Sequence, residues 1–314
     1  MLRRLLARIP KLEKAVCLVK SYRIGCQQQK QILIGRIASG VLRMRSVRMA
    51  SAAVVSGPLS QDFSKNVTLS DGAKDDFVTE HLYYTDTELC ECKAKVTGVR
   101  LMEFQGESRH VIVVDQTVMH PQGGGQPSDT GMIKKVDGDQ TIEFNVLHVQ
   151  KPSRDSKYIE HIGSYAVGSK QFAVGDPVDI FVNADKRRYH ARIHSAGHLL
   201  DSAFINLGWT ELEPSKGYHF AEGPYVEYIG NIPVEKRDEV IKQLNQESTR
   251  LIQEKIPVVV SQNDKGERIV NVGGTECPCG GTHVKNTSWI GGMSITKMKK
   301  SKKTIRVSYE VTGS

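Results

Sequence analysis

Four residues of this chain have the types and spacing to hold a metal ion. His194 and His198 stand four apart, so on a helix they share one face, one turn apart. Two imidazoles placed that way can reach one ion. Cys279 and His283 are also four apart, with Gly280, Gly281 and Thr282 between them. The glycines permit a tight turn and a close approach of backbone to the site. Two His with a Cys and a third His make a nitrogen–sulfur donor set, and such a set prefers zinc. One Zn2+ per chain is therefore expected. Four protein ligands close a structural zinc site, whereas catalytic zinc ordinarily keeps three and an open position. The spacing leaves both alternatives open. A metalloprotease is disfavoured, because Ser195 stands where His-Glu-x-x-His carries its general base.

Two sets of elements must deliver these groups. Residues 185–207 show helical spacing through Ile193, Leu199, Leu200 and Phe204, so the first His pair is expected on a helix. A second helix is expected over 233–255, with Pro233 at its first position and Val240, Ile241, Leu244, Leu251 and Ile252 as its apolar stripe. Residues 256–260 and 305–311 read as strands. Helices and strands in alternation predict an α/β domain over 185–314. Upstream, residues 92–101, 110–114, 132–136, 141–149 and 178–182 read as strands, punctuated by Gly-rich and Asp-Gly turns. Residues 81–184 are thus expected to form a small β-barrel-like domain, which makes the chain α+β.

The chain has 314 residues, 39% of them hydrophobic and 25% charged, with a net charge of +8. No run approaches the roughly 18–20 apolar residues of a membrane span, so no membrane partner is expected. The positive charge is confined to the start. Residues 1–60 contain twelve Lys and Arg and a single acid, Glu13, while the remainder is slightly acidic. The overall charge is therefore no nucleic-acid footprint. An Arg-rich, acid-poor leader, with Leu2, Leu5, Leu6 and Ile9 ahead of Pro10, predicts a mitochondrial transit peptide. A start at Met49 would predict the cytoplasm instead. Residues 61–80 read as a linker. The six cysteines form no disulfide framework, and without a secretory signal they imply a reducing compartment. Cys90 and Cys92 are read as strand residues, Cys277 as structural, and His190 and His219 as packing or surface residues.

The two His/Cys motifs resemble those of the editing domain of alanyl-tRNA synthetase and its free-standing relatives, the AlaX proteins. A more distant likeness is to the editing domain of threonyl-tRNA synthetase. Residues 192–200, 217–227, 277–284 and 305–309 carry the likeness. The run from Asp115 to Gly131, through Gly123-Gly124-Gly125 and Gln126, is similar to the glycine-rich motif of the longer AlaX proteins. It departs from that motif at Met119-His120, where the family commonly has an aromatic pair, and at Gln122, where Glu is common. The resemblance covers about residues 82–313.

What the resemblance implies is a trans-acting editing hydrolase with no aminoacylation core. It would deacylate Ser-tRNA(Ala), and by extension Gly-tRNA(Ala), at a zinc held by His194, His198, Cys279 and His283. An alanine pocket rejects poorly a side chain that merely adds a hydroxyl or lacks a methyl, so a second hydrolytic site is needed. By the same resemblance Thr117 and Gln126 are candidates to line the pocket and meet the serine hydroxyl. Lys297, Lys299, Lys300, Lys302, Lys303 and Arg306 fall in an acid-free stretch and are candidates to hold tRNA phosphates. The alternative is a non-catalytic RNA-binding protein with a structural zinc.

Overall fold

The structure, a computed structural model, describes residues 77–313. Six antiparallel strands in its first half close into a barrel. After a short strand β1 (Glu80–His81) come β2 (Glu91–Phe104), β3 (Glu107–Val114) and β4 (Gln116–Thr117). Next are β5 (Gly131–Asp137), β6 (Gln140–Gln150), β7 (Glu160–Tyr165) and β8 (Pro177–Val182). The barrel order is β2-β3-β7-β6-β5-β8, while β1 and β4 pair in parallel. Alternation explains most of this. Along β6, Ile142, Phe144 and Val146 point inward between exposed polar neighbours, and they join Ile112, Val114, Ile133 and Ile180 in one core. The strand β7 escaped the sequence reading because it does not alternate. Glu160, His161, Ile162 and Gly163 are all buried. Glu160 is neutralised by Arg100 and accepts a hydrogen bond from Gln150 Nε2 at 3.0 Å.

His161 sets a pH limit on the barrel. Its Nδ1 donates to the Ile112 carbonyl at 3.1 Å, so its Nε2 accepts from Thr117 Oγ1 at 2.9 Å. Burial pulls its pKa down to about 4, against the backbone hydrogen bond that opposes the shift. The unfolded chain, with an ordinary histidine near 6.5, then binds more protons between those two values. The stability tied to neutral His161 is complete above about pH 6.5 and is lost as pH falls towards 4. A change of roughly 2–3 kcal/mol is expected across that window. Urea unfolding of the wild type should show this fall, and His161→Gln should flatten it.

The second half places two helices and two small sheets around a separate apolar core. Its elements are α1 (Ala184–Asn206), β9 (Glu213–Tyr218), β10 (Tyr225–Ile229) and α2 (Arg237–Gln253). They continue with β11 (Val259–Gln262), β12 (Arg268–Val272), β13 (Thr275–Pro278), β14 (Gly292–Ser301) and β15 (Thr304–Thr312). One sheet runs β14-β15-β10-β9 and the other β11-β12-β13. The helix α1 begins at Asn183, whose side chain accepts from Lys186 N–H at 3.0 Å. It is buried on nearly every side from His194 to Phe204, which is the pattern of a central helix. The helix α2 has one apolar stripe, Val240, Leu244, Leu251 and Ile252. Pro233 does not open it. A single 3₁₀ turn, Val234–Lys236, intervenes, and Pro233 caps that turn in an extended conformation.

One buried ion pair joins the barrel loop to α1. Arg187, in the first turn of α1, donates through Nε to both carboxylate oxygens of Asp129, at 3.1 and 3.0 Å. A further bond to the same carboxylate comes from the guanidinium end, and both side chains are 0% exposed. Asp129 also accepts from His120 N–H at 2.6 Å, and Arg187 donates to the Thr87 carbonyl at 2.9 Å. The transit-peptide reading of residues 1–60, and most of the 61–80 linker, lie outside the described residues. Among those described, no helix is long and apolar enough to cross a membrane.

Candidate metal centre

The helix α1 and the loop after β13 bring the four expected ligands together. The donor atoms of His194, His198, Cys279 and His283 all lie within 4.8 Å of one another. Cys279 Sγ is 3.5 Å from His194 Nε2 and 3.4 Å from His283 Nε2. Donors around a tetrahedral zinc, at roughly 2.0–2.3 Å from the ion, stand roughly 3.3–3.8 Å apart, so these separations suit it. His198 Nε2 is buried with no hydrogen-bond partner, which is costly unless something occupies that position. A soft thiolate with three imidazoles, one of them orphaned, fits zinc.

On His194 and His283 the other ring nitrogen is tied down in the way metal-bound histidines require. His194 Nδ1 donates to Gln126 Oε1 at 2.7 Å, which leaves Nε2 unprotonated. Gln126 is held by Thr282, accepting from its N–H at 3.0 Å and donating to its Oγ1 at 2.8 Å. His283 Nδ1 lies 3.3 Å from Ser195 Oγ, which also accepts from Val284 N–H at 3.1 Å. His198 Nδ1 lies 3.7 Å from Asp201 Oδ2. Ser195 therefore orients a ligand, having no place as a general base.

Burial dominates the electrostatics. It holds His194 and His283 well below the usual histidine range, with neighbouring imidazoles adding to the effect. It brings His198 down to about 4, with Arg268 adding to the shift. Neutral imidazoles are the form a metal takes. Burial raises the Cys279 thiol, opposed by the Gly281 N–H and by Arg268, whose guanidinium donates to the Cys279 carbonyl. The same burial lifts the Asp201 carboxyl to about 7, against the hydrogen bond that Tyr228 O–H donates at 2.6 Å.

Two glycines are required by close approach. A Cβ on Gly281 would fall onto the His194 ring and press on Gln126 Oε1, and one on Gly197 would fall onto His219. This accounts for glycine within each four-residue spacing.

A cleft of about 230 Å3 opens beside the cluster, lined by His194, His198, Asp201, His219 and the loop bearing Cys279. His219, expected as a packing or surface residue, lines this cleft, and its ring stacks on His194 with centroids 4.5 Å apart. Tyr309 O–H donates to the Ile193 carbonyl at 2.9 Å, so Tyr309 Oη accepts from His219 Nδ1 at 2.7 Å. His219 Nε2 is then the ring atom left to accept. Asp201 was also missed. Its signal was present: positions 194, 198 and 201 repeat at helical spacing.

The other expected site residues are placed differently from the cluster. Thr117 is fully buried, and its hydroxyl is used by His161 and by Met119 N–H at 3.0 Å. It does not line the cleft. Gln126 is beneath His194 and does not line it either. Lys297, Lys299 and Lys300 lie on β14, Lys302 and Lys303 in the turn, and Arg306 on β15. Lys300 Nζ donates to Asn231 Oδ1 at 2.7 Å, and Arg306 pairs with Glu227 at 2.7 Å. Cys277 lines the cleft as a free thiol, and Cys90 and Cys92 are free and half-buried.

Residues 44–186 match the family described as tRNA synthetases class II (A). Residues 268–307, which include Cys279 and His283, match the threonyl and alanyl tRNA synthetase second additional domain. Over 254 residues the chain is 32% identical to the alanyl-tRNA editing protein AlaX-M of Methanosarcina barkeri, covering 74% of this chain and 98% of that relative. The chain belongs to the alanyl-tRNA editing protein family. It is also 27% identical to AlaX-L of Pyrococcus horikoshii over 252 residues, 74% of this chain and 58% of that protein. A longer relative is the alanine–tRNA ligase of Leptospira biflexa, 28% identical over 251 residues, of which the chain covers only 26%. The described part of the class II match, residues 77–186, is the barrel and the first turn of α1.

Within this editing-family site, Gln126→Ala removes the acceptor for His194 Nδ1. Zinc affinity is expected to fall about 10- to 100-fold, measured by chelator competition at pH 7.

Proposed function

We propose that this chain is an aminoacyl-tRNA deacylase that hydrolyses seryl-tRNA(Ala), and also glycyl-tRNA(Ala), at a zinc held by His194, His198, Cys279 and His283. The observation that carries the reading is the convergence of those four donors on one point at the wall of a cleft. Zinc, when bound, supplies a Lewis acid for the ester carbonyl or for a water nucleophile.

The chain's own residues do the rest. Gln126 and Ser195 hold the rings of His194 and His283, and burial keeps the ligand rings neutral. His219 Nε2 offers a hydrogen-bond acceptor to an amino acid in the cleft. Gln126 acts in this reading as a positioning residue. Thr117 is fully buried, its hydroxyl is paired with His161 and Met119 N–H, and in this reading it is not the group that meets the serine hydroxyl. A pocket that pairs the serine hydroxyl would reject alanine by leaving its polar groups unpaired.

The test is deacylation of seryl-, glycyl- and alanyl-tRNA(Ala) by the purified, zinc-loaded chain. Fast loss of serine and glycine with slow loss of alanine is expected. Loss of none, with zinc still bound, would favour an RNA-binding protein with a structural zinc. For compartment, the leader supports import into mitochondria from a Met1 start and the cytoplasm from a Met49 start. A fluorescent fusion of each form tests this, and diffuse signal from the Met1 form would end the transit-peptide reading.

A further inference from the structure

The sheet that lines the cleft has a second face, turned away from the helices. Residues paired directly across antiparallel strands share a face. Val226, Tyr228, Ile305, Val307 and Tyr309 are buried on the inner face. The register then sets two rows on the outer face. In one, Lys297 pairs with Ser308, Ser308 with Tyr225, and Tyr225 with Tyr218. In the next, Lys299 pairs with Arg306, and Arg306 with Glu227.

On this face the planar groups form one column. The Arg306 guanidinium lies 3.9 Å from the Tyr225 ring centroid. Tyr225 stacks on Tyr218 at 5.2 Å and 16°, and Tyr218 on Phe220 at 4.6 Å and 17°. All three rings are only half-buried. The column ends at Phe220, beside His219 and Gly217, which line the cleft. Lys297 and Lys299 are exposed at the other edge and form no ion pair among the described residues. Glu227, on the same face, is neutralised by Arg306.

We propose that this outer face, with Phe220, Tyr218 and Tyr225 as stacking platform and Lys297 and Lys299 as phosphate contacts, docks the single-stranded 3′ end of the RNA whose terminal ester enters the cleft. The inference rests on the editing reading, because an aminoacyl ester sits at the end of an unpaired strand. Single strands present splayed bases, and half-exposed aromatics beside basic side chains are what bind them. A duplex stem offers no free base faces, so the column selects for the unpaired end.

The test uses the full chain and two uncharged stem–loop RNAs, one ending in four unpaired 3′ nucleotides and one blunt. Binding of each is measured for the wild type and for a Tyr218→Leu/Phe220→Leu variant. The basic leader is the same in both proteins, so it cancels when the preference of the variant is compared with that of the wild type. The wild type is expected to prefer the overhang about tenfold, and the variant to lose that preference. Should the aromatic variant fail to fold, Lys297→Ser/Lys299→Ser replaces two exposed side chains. Its log-affinity for the overhang RNA should fall with log salt less steeply, by about 1.4. No overhang preference in the wild type, the same preference in the aromatic variant, or an unchanged salt slope would each overturn the proposal. Hydrolysis of seryl-tRNA without overhang preference sinks the docking face alone. Overhang preference without hydrolysis sinks the editing reading alone.

Discussion

Cys279→Ala is expected to abolish both zinc retention and deacylation, with the rate on seryl-tRNA(Ala) falling by more than about a hundredfold. The reason is the donor set. Cys279 is the one sulfur ligand, and its Sγ lies within 3.5 Å of two imidazole nitrogens. Without it, three neutral histidines remain, with His198 Nε2 already orphaned. Cys279→Ser keeps a hydrogen-bonding group for the Gly281 N–H, which lies 3.4 Å from the sulfur. It should therefore fold better than Cys279→Ala while binding zinc almost as poorly. Metal analysis after dialysis, with thermal unfolding of the same samples, checks this. Full zinc occupancy in Cys279→Ala would contradict the assignment.

The largest loss of stability is expected from Arg187→Met. It leaves the Asp129 carboxylate, 0% exposed, without its cation. Breaking a buried pair from one side costs about 3–5 kcal/mol, because the remaining charge has no water to turn to. Removing both partners, in Arg187→Met/Asp129→Leu, should recover much of that loss. Recovery stays incomplete, since His120 N–H and the Thr87 carbonyl lose their partners too. Urea unfolding of the wild type, of Arg187→Met and Asp129→Leu alone, and of the double variant forms the cycle. Equal destabilisation in the single and double variants would show that the pair is not what matters. Because Arg187 lies two turns before His194 on α1, the single variant should also weaken zinc binding.

The His/Cys cluster was legible because its spacing is local. Each pair is four apart, and only the meeting of the two pairs needed the fold. The strands that alternate were legible for the same reason. Those buried on both faces, such as β7, carry no alternation to read. Pro233 misled because a proline suits the start of a 3₁₀ turn as well as that of an α-helix. The acid-free stretch of lysines read as a set of phosphate contacts, with no signal for the element that carries Lys297, Lys299 and Lys300. It is a strand and a turn, and pairing sends its members to different partners, Asn231 for Lys300 and Glu227 for Arg306. His219 and Asp201 became visible only with the tertiary structure, since Tyr309 and Tyr228, which hold them, are 90 and 27 residues away. Thr117 and Gln126 sit in one motif, yet Thr117 turns to His161 in the barrel and Gln126 to His194. A motif does not say which way each side chain turns.

The measurement that bears most directly on the central claim is deacylation of seryl-tRNA(Ala) by the metal-stripped chain as zinc is returned. Activity is expected to be absent at first. It should rise in proportion to zinc until one ion is bound per chain, with the alanyl ester hydrolysed far more slowly throughout. Seryl ester hydrolysis at full rate by the metal-free protein would contradict the account.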